Sequence, residues 1–150
     1  MVLDASPDEV WADIEDISSH VEWMEDAVSI DFTTDQRSGT GTEFDCATKV
    51  GPIRLVDHMQ ITSWEPGRAM GVRHVGLVTG TGEFTLRPAG VEVASRDEAE
   101  SSPSPERTQF VWTEKLIFPW WLGGPIGATF ARPVLGHIWR TNLKNLQRRF

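Results

Sequence analysis

The hydrophobic positions change period twice along the chain, and the changes divide it into three parts. The first part carries a helical period. Ser6-Pro7-Asp8-Glu9 puts a serine at the N-cap, a proline at the first helical position and a glutamate at the third, which is a capping box. Val10, Ile14 and Ile17 follow at helical spacing with Trp11 beside them, and Asp8, Glu9, Asp13, Glu15 and Asp16 fill the other face. A second cap at Ser18 or Ser19 predicts a short helix through Trp23 that turns back on the first.

From Val28 the period is two. Val28, Ile30 and Phe32 alternate with polar residues, and further strands are predicted over residues 42–50, 53–64, 68–75, 77–87 and 108–118. Breaks fall at residues 39–41, at Gly51-Pro52, at Glu65-Pro66-Gly67 and near Gly76. Residues 88–107, rich in Ser, Pro, Glu and Asp, are expected to form a flexible solvated loop. After residues 123–125 the helical period returns and runs to about Arg149. At ~100° per residue, Ala128, Leu135, Ile138, Trp139, Asn142, Leu146 and Phe150 share one face, and Arg140, Lys144 and Arg148 lie opposite. Pro133 is expected to kink or restart this helix. Two short helices, about six antiparallel strands and a long C-terminal helix make an α+β fold, with a curved sheet wrapped around the long helix.

Composition narrows the function classes. A chain of 150 residues fits one domain, and a domain of that size buries roughly 68–70% of its unfolded surface. With 22 acidic against 14 basic residues the net charge is −8. That charge excludes a general nucleic-acid binder and argues against broad attraction to anionic membranes. The single cysteine, Cys46, allows no internal disulfide and no Cys-based zinc site. Residues 1–31 hold no Lys or Arg and no long apolar run, so no signal peptide is expected. The most apolar stretch, residues 116–131, is broken by Pro119, Gly123, Gly124 and Pro125 and falls short of the ~20 residues a spanning helix needs. A soluble, cytoplasmic protein without cofactor or metal is the expectation. Seven Trp with no Tyr supply large apolar area with one donor each, which suits a core or an aromatic-lined pocket.

Three stretches in this order resemble the START-like superfamily, which includes polyketide cyclase/dehydrases, pollen-allergen-type ligand binders and lipid-transport domains. The first is Ala5-Ser6-Pro7-Asp8-Glu9-Val10-Trp11 with Ile14, Asp16 and His20-Val21-Glu22-Trp23-Met24. The second is Ile61-Thr62-Ser63-Trp64-Glu65-Pro66-Gly67-Arg68, and the third is the terminal helix with Leu143, Leu146 and its basic tail. The resemblance covers almost the whole chain. It implies a helix-grip fold with an apolar cavity between sheet and helix, and it implies no particular reaction, because the superfamily has no universal catalytic residues. The superfamily fold opens with a strand. Here only residues 2–4 are available, so the first strand is a stub or the chain lacks its true start. An open sheet edge there would offer a dimer contact.

Several residues are candidates for chemistry in such a cavity. His58 and His74 lie on neighbouring predicted strands. A three-residue loop pairing Trp64 with Arg68 sets the two rings opposite each other on one face; a two-residue loop pairing Glu65 with Arg68 sends them to opposite faces. Glu114 shares a strand face with Phe110, Trp112, Leu116 and Phe118, where burial would suit it to act as a general acid. Glu83, among Thr79, Thr81 and Thr85, has a weaker claim. Asn142 sits beside Trp139 on the apolar helix face and needs partners if buried. Trp23, Trp112, Leu135 and Trp139 are expected in the core or the cavity wall, and His137 on the solvated basic stripe. Phe118-Pro119-Trp120-Trp121-Leu122 would make a lid, or a peripheral membrane contact through Trp120 and Trp121 if exposed. Gly39-Thr40-Gly41 and Gly80-Thr81-Gly82 are turn or bulge signals.

Three functions follow. The first is a binding protein for a hydrophobic small molecule, a lipid or an aromatic polyketide-like compound, contacted by Trp23, His58, His74, Trp112, Glu114, Leu135, Trp139 and Asn142. The second is a cyclase or dehydratase using Glu114 or a cavity histidine as acid or base. The third is a protein- or membrane-interaction module.

Overall fold

The computed structural model describes residues 1–76, 78–89, 106–117, 120 and 124–150, with backbone alone at 124–131. Helix α1 (Pro7–Ile14) opens as its sequence requires: Glu9 N donates to Ser6 Oγ, and Ser6 N donates to Glu9 Oε2 at 2.8 Å. It buries Val10, Trp11 and Ile14. The second short helix is a 3-10 turn (Ile17–Glu22). Its cap is Asp16 rather than Ser18 or Ser19. The Asp16 carboxylate accepts from Ser18 N at 3.0 Å, two residues on, and so leaves both serines inside the first turn.

Seven antiparallel strands follow the order β1-β7-β6-β5-β4-β3-β2. They are β1 (Val2–Leu3), β2 (Ala27–Phe32), β3 (Glu43–Val50), β4 (Ile53–Glu65), β5 (Ala69–Val75), β6 (Thr79–Pro88) and β7 (Thr108–Ile117). The two-residue β1 pairs with the start of β7, Val2 with Gln109 and Leu3 with Thr108. Strands β6 and β7 pair from Thr79 with Ile117 to Pro88 with Thr108, and Ala89 N donates to Arg107 O beyond them. The loop expected over residues 88–107 lies mostly outside the described residues.

Helix α2 (Gly124–Gln147) crosses the concave face of the sheet, completing a helix-grip fold. It runs through Pro133 as one helix, without the expected restart. A proline inside a helix forfeits a hydrogen bond, a cost of about 3 kcal/mol, which a helix anchored at its other end carries. That anchor is specific. Asn142 is fully buried; its Oδ1 accepts from Glu25 N at 2.8 Å and its Nδ2 donates to Asp26 Oδ1 at 2.8 Å. Arg149 grips Asp13 at 2.7 Å and Glu22 at 2.8 Å, and Leu146 is fully buried. Arg140, Lys144 and Arg148 face solvent, as the helical wheel predicts. Among the described residues, no helix is long and apolar enough to cross a membrane.

The core fills the anchored end. Trp23 packs on Phe84 and Trp112 with ring centroids 6.0 Å apart in each pair, and Trp112 meets Trp139 at 6.2 Å. Leu3, Val10, Ile14, Phe110 and Leu146 close the layers around them.

Replacing Asn142 by alanine strands the Glu25 N–H and the Asp26 carboxylate. A buried unsatisfied group costs about 1–3 kcal/mol, so the expected loss is about 2–3 kcal/mol, read as a lower urea midpoint. Lys144→Ala, on the exposed face, should stay within about 0.5 kcal/mol of the parent.

Candidate functional site

Beyond the aromatic layer, the concave face of the sheet and helix α2 separate around a cavity of about 190 Å³. At roughly 10–15 Å³ for each water-sized group, it holds on the order of a dozen heavy atoms. Strand alternation decides what lines it. Strand β4 contributes Leu55, Asp57 and Met59, β5 contributes Val72 and His74, and β7 contributes Trp112, Glu114 and Leu116, with Leu135 and Trp139 above them from α2.

His74 is the centre of the polar part of this wall. Its Nδ1 makes a short hydrogen bond to Asp57 Oδ2, its diagonal neighbour on β4. On the other side of the ring, Nε2 lies 3.3 Å from Glu114 Oε2, an ion-pair distance without hydrogen-bond alignment. Glu114 Oε1 accepts from Trp112 Nε1 at 3.0 Å. His74 and Glu114 sit on β5 and β7, with β6 between them, and Gly82 leaves the room in which they meet. Gly82 pairs with both Val72 and Glu114, and a Cβ there would collide with the Glu114 carboxylate. Gly80 has φ +150° and its Cβ would run into Lys115 O.

Burial works to push the His74 imidazole down. The hydrogen bond to Asp57 and the nearby charges of Asp57 and Glu114 outweigh it and raise the ring to about 9, so His74 is protonated at neutral pH. His20, also in the wall, behaves in the opposite way. Burial drives its pKa down, and its Nε2 faces Ile14 O at 2.7 Å, so Nε2 carries the single proton of a neutral ring. Burial first, then Asp26 and Asp57, push the Cys46 thiol up to about 12, leaving it an unreactive part of the wall. Four buried polar atoms have no hydrogen-bond partner among the described residues: Trp23 Nε1, Asp57 Oδ1, His74 Nε2 and Glu114 Oε2.

Five of the sequence candidates meet at the cavity: His74, Trp112, Glu114, Leu135 and Trp139. His58 does not. Strands β4 and β5 close with Glu65 opposite Ala69, and Thr62 then bulges out of the ladder, so that Met59 pairs with His74. His58 therefore points to the convex face, where its Nδ1 lies 2.7 Å from Asp45 Oδ1. Both sequence registers assumed an unbroken ladder, and the bulge adds one residue to β4. Asn142 is committed to Glu25 and Asp26, and Trp23 lies a layer beneath the wall against Phe84 and Trp112. Glu83 and His137 are exposed, as is Trp120; Trp121 and its neighbours at 118, 119 and 122 lie outside the described residues.

The sequence reading missed Asp57, His20 and the role of the glycines. Around Asp57 the run Leu55-Val56-Asp57-His58-Met59 has no period from which a face could be read. Gly82 did carry a signal: a glycine inside a strand marks a close approach of a neighbouring group. Among the described residues, no group of three or more His, Cys, Asp and Glu has metal-holding geometry. Asp57 and Glu114 flank the imidazole from opposite sides instead of converging on a point.

A family model described as "Polyketide cyclase / dehydrase and lipid transport" matches residues 1–150. Among curated protein sequences, none matches. Solved structures do. The protein TTHA0849 from Thermus thermophilus superposes with a TM-score of 0.70 at 14% identity, over 99% of this chain and 92% of that one. A START superfamily protein from Mycobacterium smegmatis gives 0.68 at 11% identity, over 99% and 92%. The ZhuI aromatase/cyclase from Streptomyces sp. R1128 gives 0.64 at 15% identity, over 99% and 86%. Identities this low speak for a shared fold alone.

The His74 arrangement has a pH signature. A folded pKa near 9 against an ordinary 6.5 means the cluster contributes stability fully below about 6.5 and loses it as pH rises through about 9. NMR titration of the His74 ring should give a midpoint near 9, and a lower one in Glu114→Gln. Urea stability should decline between these pH values, with a shallower decline in His74→Gln. A His74 midpoint below 6.5 would contradict the assigned partners.

Proposed function

The chain belongs to the polyketide cyclase/dehydrase and lipid-transport family, and on that footing we propose that it binds a compact hydrophobic small molecule between the sheet and helix α2. The observation that carries this reading is the cavity itself: an apolar enclosure with one cluster of partly unsatisfied polar groups, the usual composition of a small-molecule site. Its volume, about 190 Å³, suits a compound of one or two rings better than a diacyl lipid. Trp112 and Trp139 offer ring faces to such a compound, and the Asp57–His74–Glu114 cluster orients its polar end.

A second reading, a cyclase or dehydratase, is favoured by one observation. His74 Nε2 and Glu114 Oε2 lie 3.3 Å apart in the cavity wall, both buried and both without a hydrogen-bond partner among the described residues. A dehydration needs one group to accept a proton from carbon and one to give a proton to the departing hydroxyl, and Glu114 and His74 fit those roles.

Native mass spectrometry of protein purified from its own host, followed by organic extraction, tests both. The expected result is a defined co-purifying compound of on the order of a dozen heavy atoms, the capacity of the cavity at roughly 10–15 Å³ for each water-sized group. If the protein is an enzyme, Glu114→Gln should retain that compound unconverted while the parent transforms it. A clean apo mass, with no uptake from an aromatic and lipid library, would overturn the binding reading.

A further inference from the structure

The two edges of the sheet are finished differently. At one edge β1 is only two residues long, and Val2 O accepts from Gln147 Nε2 of helix α2 at 3.2 Å. At the other edge β2 is six residues long. Thr33 N donates to Glu43 O, which sets the alternation of the β2–β3 ladder. Ser29 and Asp31 bond to β3, while the N–H and C=O groups of Ile30 and Phe32 point away from the sheet. A bulge at Val28 limits the regular edge to residues 29–32. The strand contains no proline or lysine to blunt it.

The charge along this edge has one sign. Asp31 is exposed and stands directly opposite Asp45 on β3, where like charges repel. Asp45 has His58 beside it at 2.7 Å; Asp31 takes a hydrogen bond from Ser29 Oγ at 3.0 Å. Glu25 and Asp35, both exposed, extend the acidic run past either end of the strand. A second copy of the chain would bring a further charge of −8 and its own Asp31 and Asp45 to the seam, so self-pairing is opposed. An extended segment with arginine or lysine at every second position meets both demands. Its main chain exchanges hydrogen bonds with Ile30 and Phe32. Its cation opposite Asp31 occupies a non-hydrogen-bonded position, where side chains stand closest, on the face that Asp31 and Asp45 share. We propose that the β2 edge is a docking site for a basic, extended segment of a partner protein, which adds to the sheet as a further strand.

Amide NMR of the full chain, titrated with capped peptides of about seven residues, tests this. One peptide alternates arginine with valine, one alternates glutamate with valine, and the third is the arginine peptide N-methylated at its valines, the positions that would face Ile30 and Phe32. The arginine peptide should bind and slow hydrogen exchange at the Ile30 and Phe32 amides, leaving Ser29 and Asp31, already bonded to β3, unchanged. N-methylation should weaken binding by at least about tenfold, the worth of two main-chain hydrogen bonds. The glutamate peptide should not bind. Asp31→Asn should weaken the arginine peptide by about threefold, the scale of an exposed ion pair. The peptide comparisons use the parent protein, so they decide the matter even if that variant does not fold. Equal binding of the N-methylated or the glutamate peptide overturns the inference, as does binding of none of the three. Protection of Ile30 and Phe32 that grows with the concentration of the chain alone also overturns it, and makes a second copy the occupant.

Discussion

One buried amide sets the geometry on which the rest depends. Asn142 ties helix α2 to the chain just ahead of β2, accepting from the Glu25 N–H and donating to the Asp26 carboxylate. Arg149 reinforces the same end through Asp13 and Glu22. The helix is thereby held close to the sheet where Leu146, Trp23 and Phe110 pack without gaps. Toward its N-terminal end, Leu135 and Trp139 stand over the cavity instead. The aromatic layer of Trp23, Phe84, Trp112 and Trp139 marks the transition. A sheet gripped at one end leaves a cavity at the other.

What occupies the wall of that cavity is not what stability asks for. Surrounding a buried imidazole with two carboxylates carries a desolvation cost that apolar side chains in the same place would not incur. Apolar side chains of similar volume would serve the fold as well or better. The chain goes further, because Gly82 inside β6 gives up strand propensity and packing to leave room for the Glu114 carboxylate. Departures from local rules that concentrate at one place in a cavity are characteristic of a working site. The opposite behaviour of His20, buried and neutral a short way off, sharpens the contrast. Its ring has one strong partner, the Ile14 carbonyl, and burial outweighs the raising charges of Asp16 and Asp13.

Much of this was legible in the sequence, for identifiable reasons. The capping box at Ser6, the alternation along the strands and the helical wheel from Leu135 to Phe150 are local patterns, and local patterns survive folding. Glu114 could be singled out because its strand alternates cleanly between apolar and polar residues. The register of β4 against β5 could not be read, because the bulge at Thr62 depends on how the whole sheet curves. That single residue decides that His74 enters the cavity and His58 does not. Asp57 was hidden for the same reason, in a run with no alternation. Gly82, in Gly80-Thr81-Gly82, was visible but taken for punctuation, since its meaning lies in the side chain it admits from the neighbouring strand.

Anomalous diffraction from crystals grown with 6-bromo-2-naphthol would test the central claim most directly, because bromine fixes the position and direction of the ring. The expected result is one bromine peak between the sheet and Leu135 and Trp139 of helix α2. A bromine peak confined to the convex face, with none in the cavity, would contradict it.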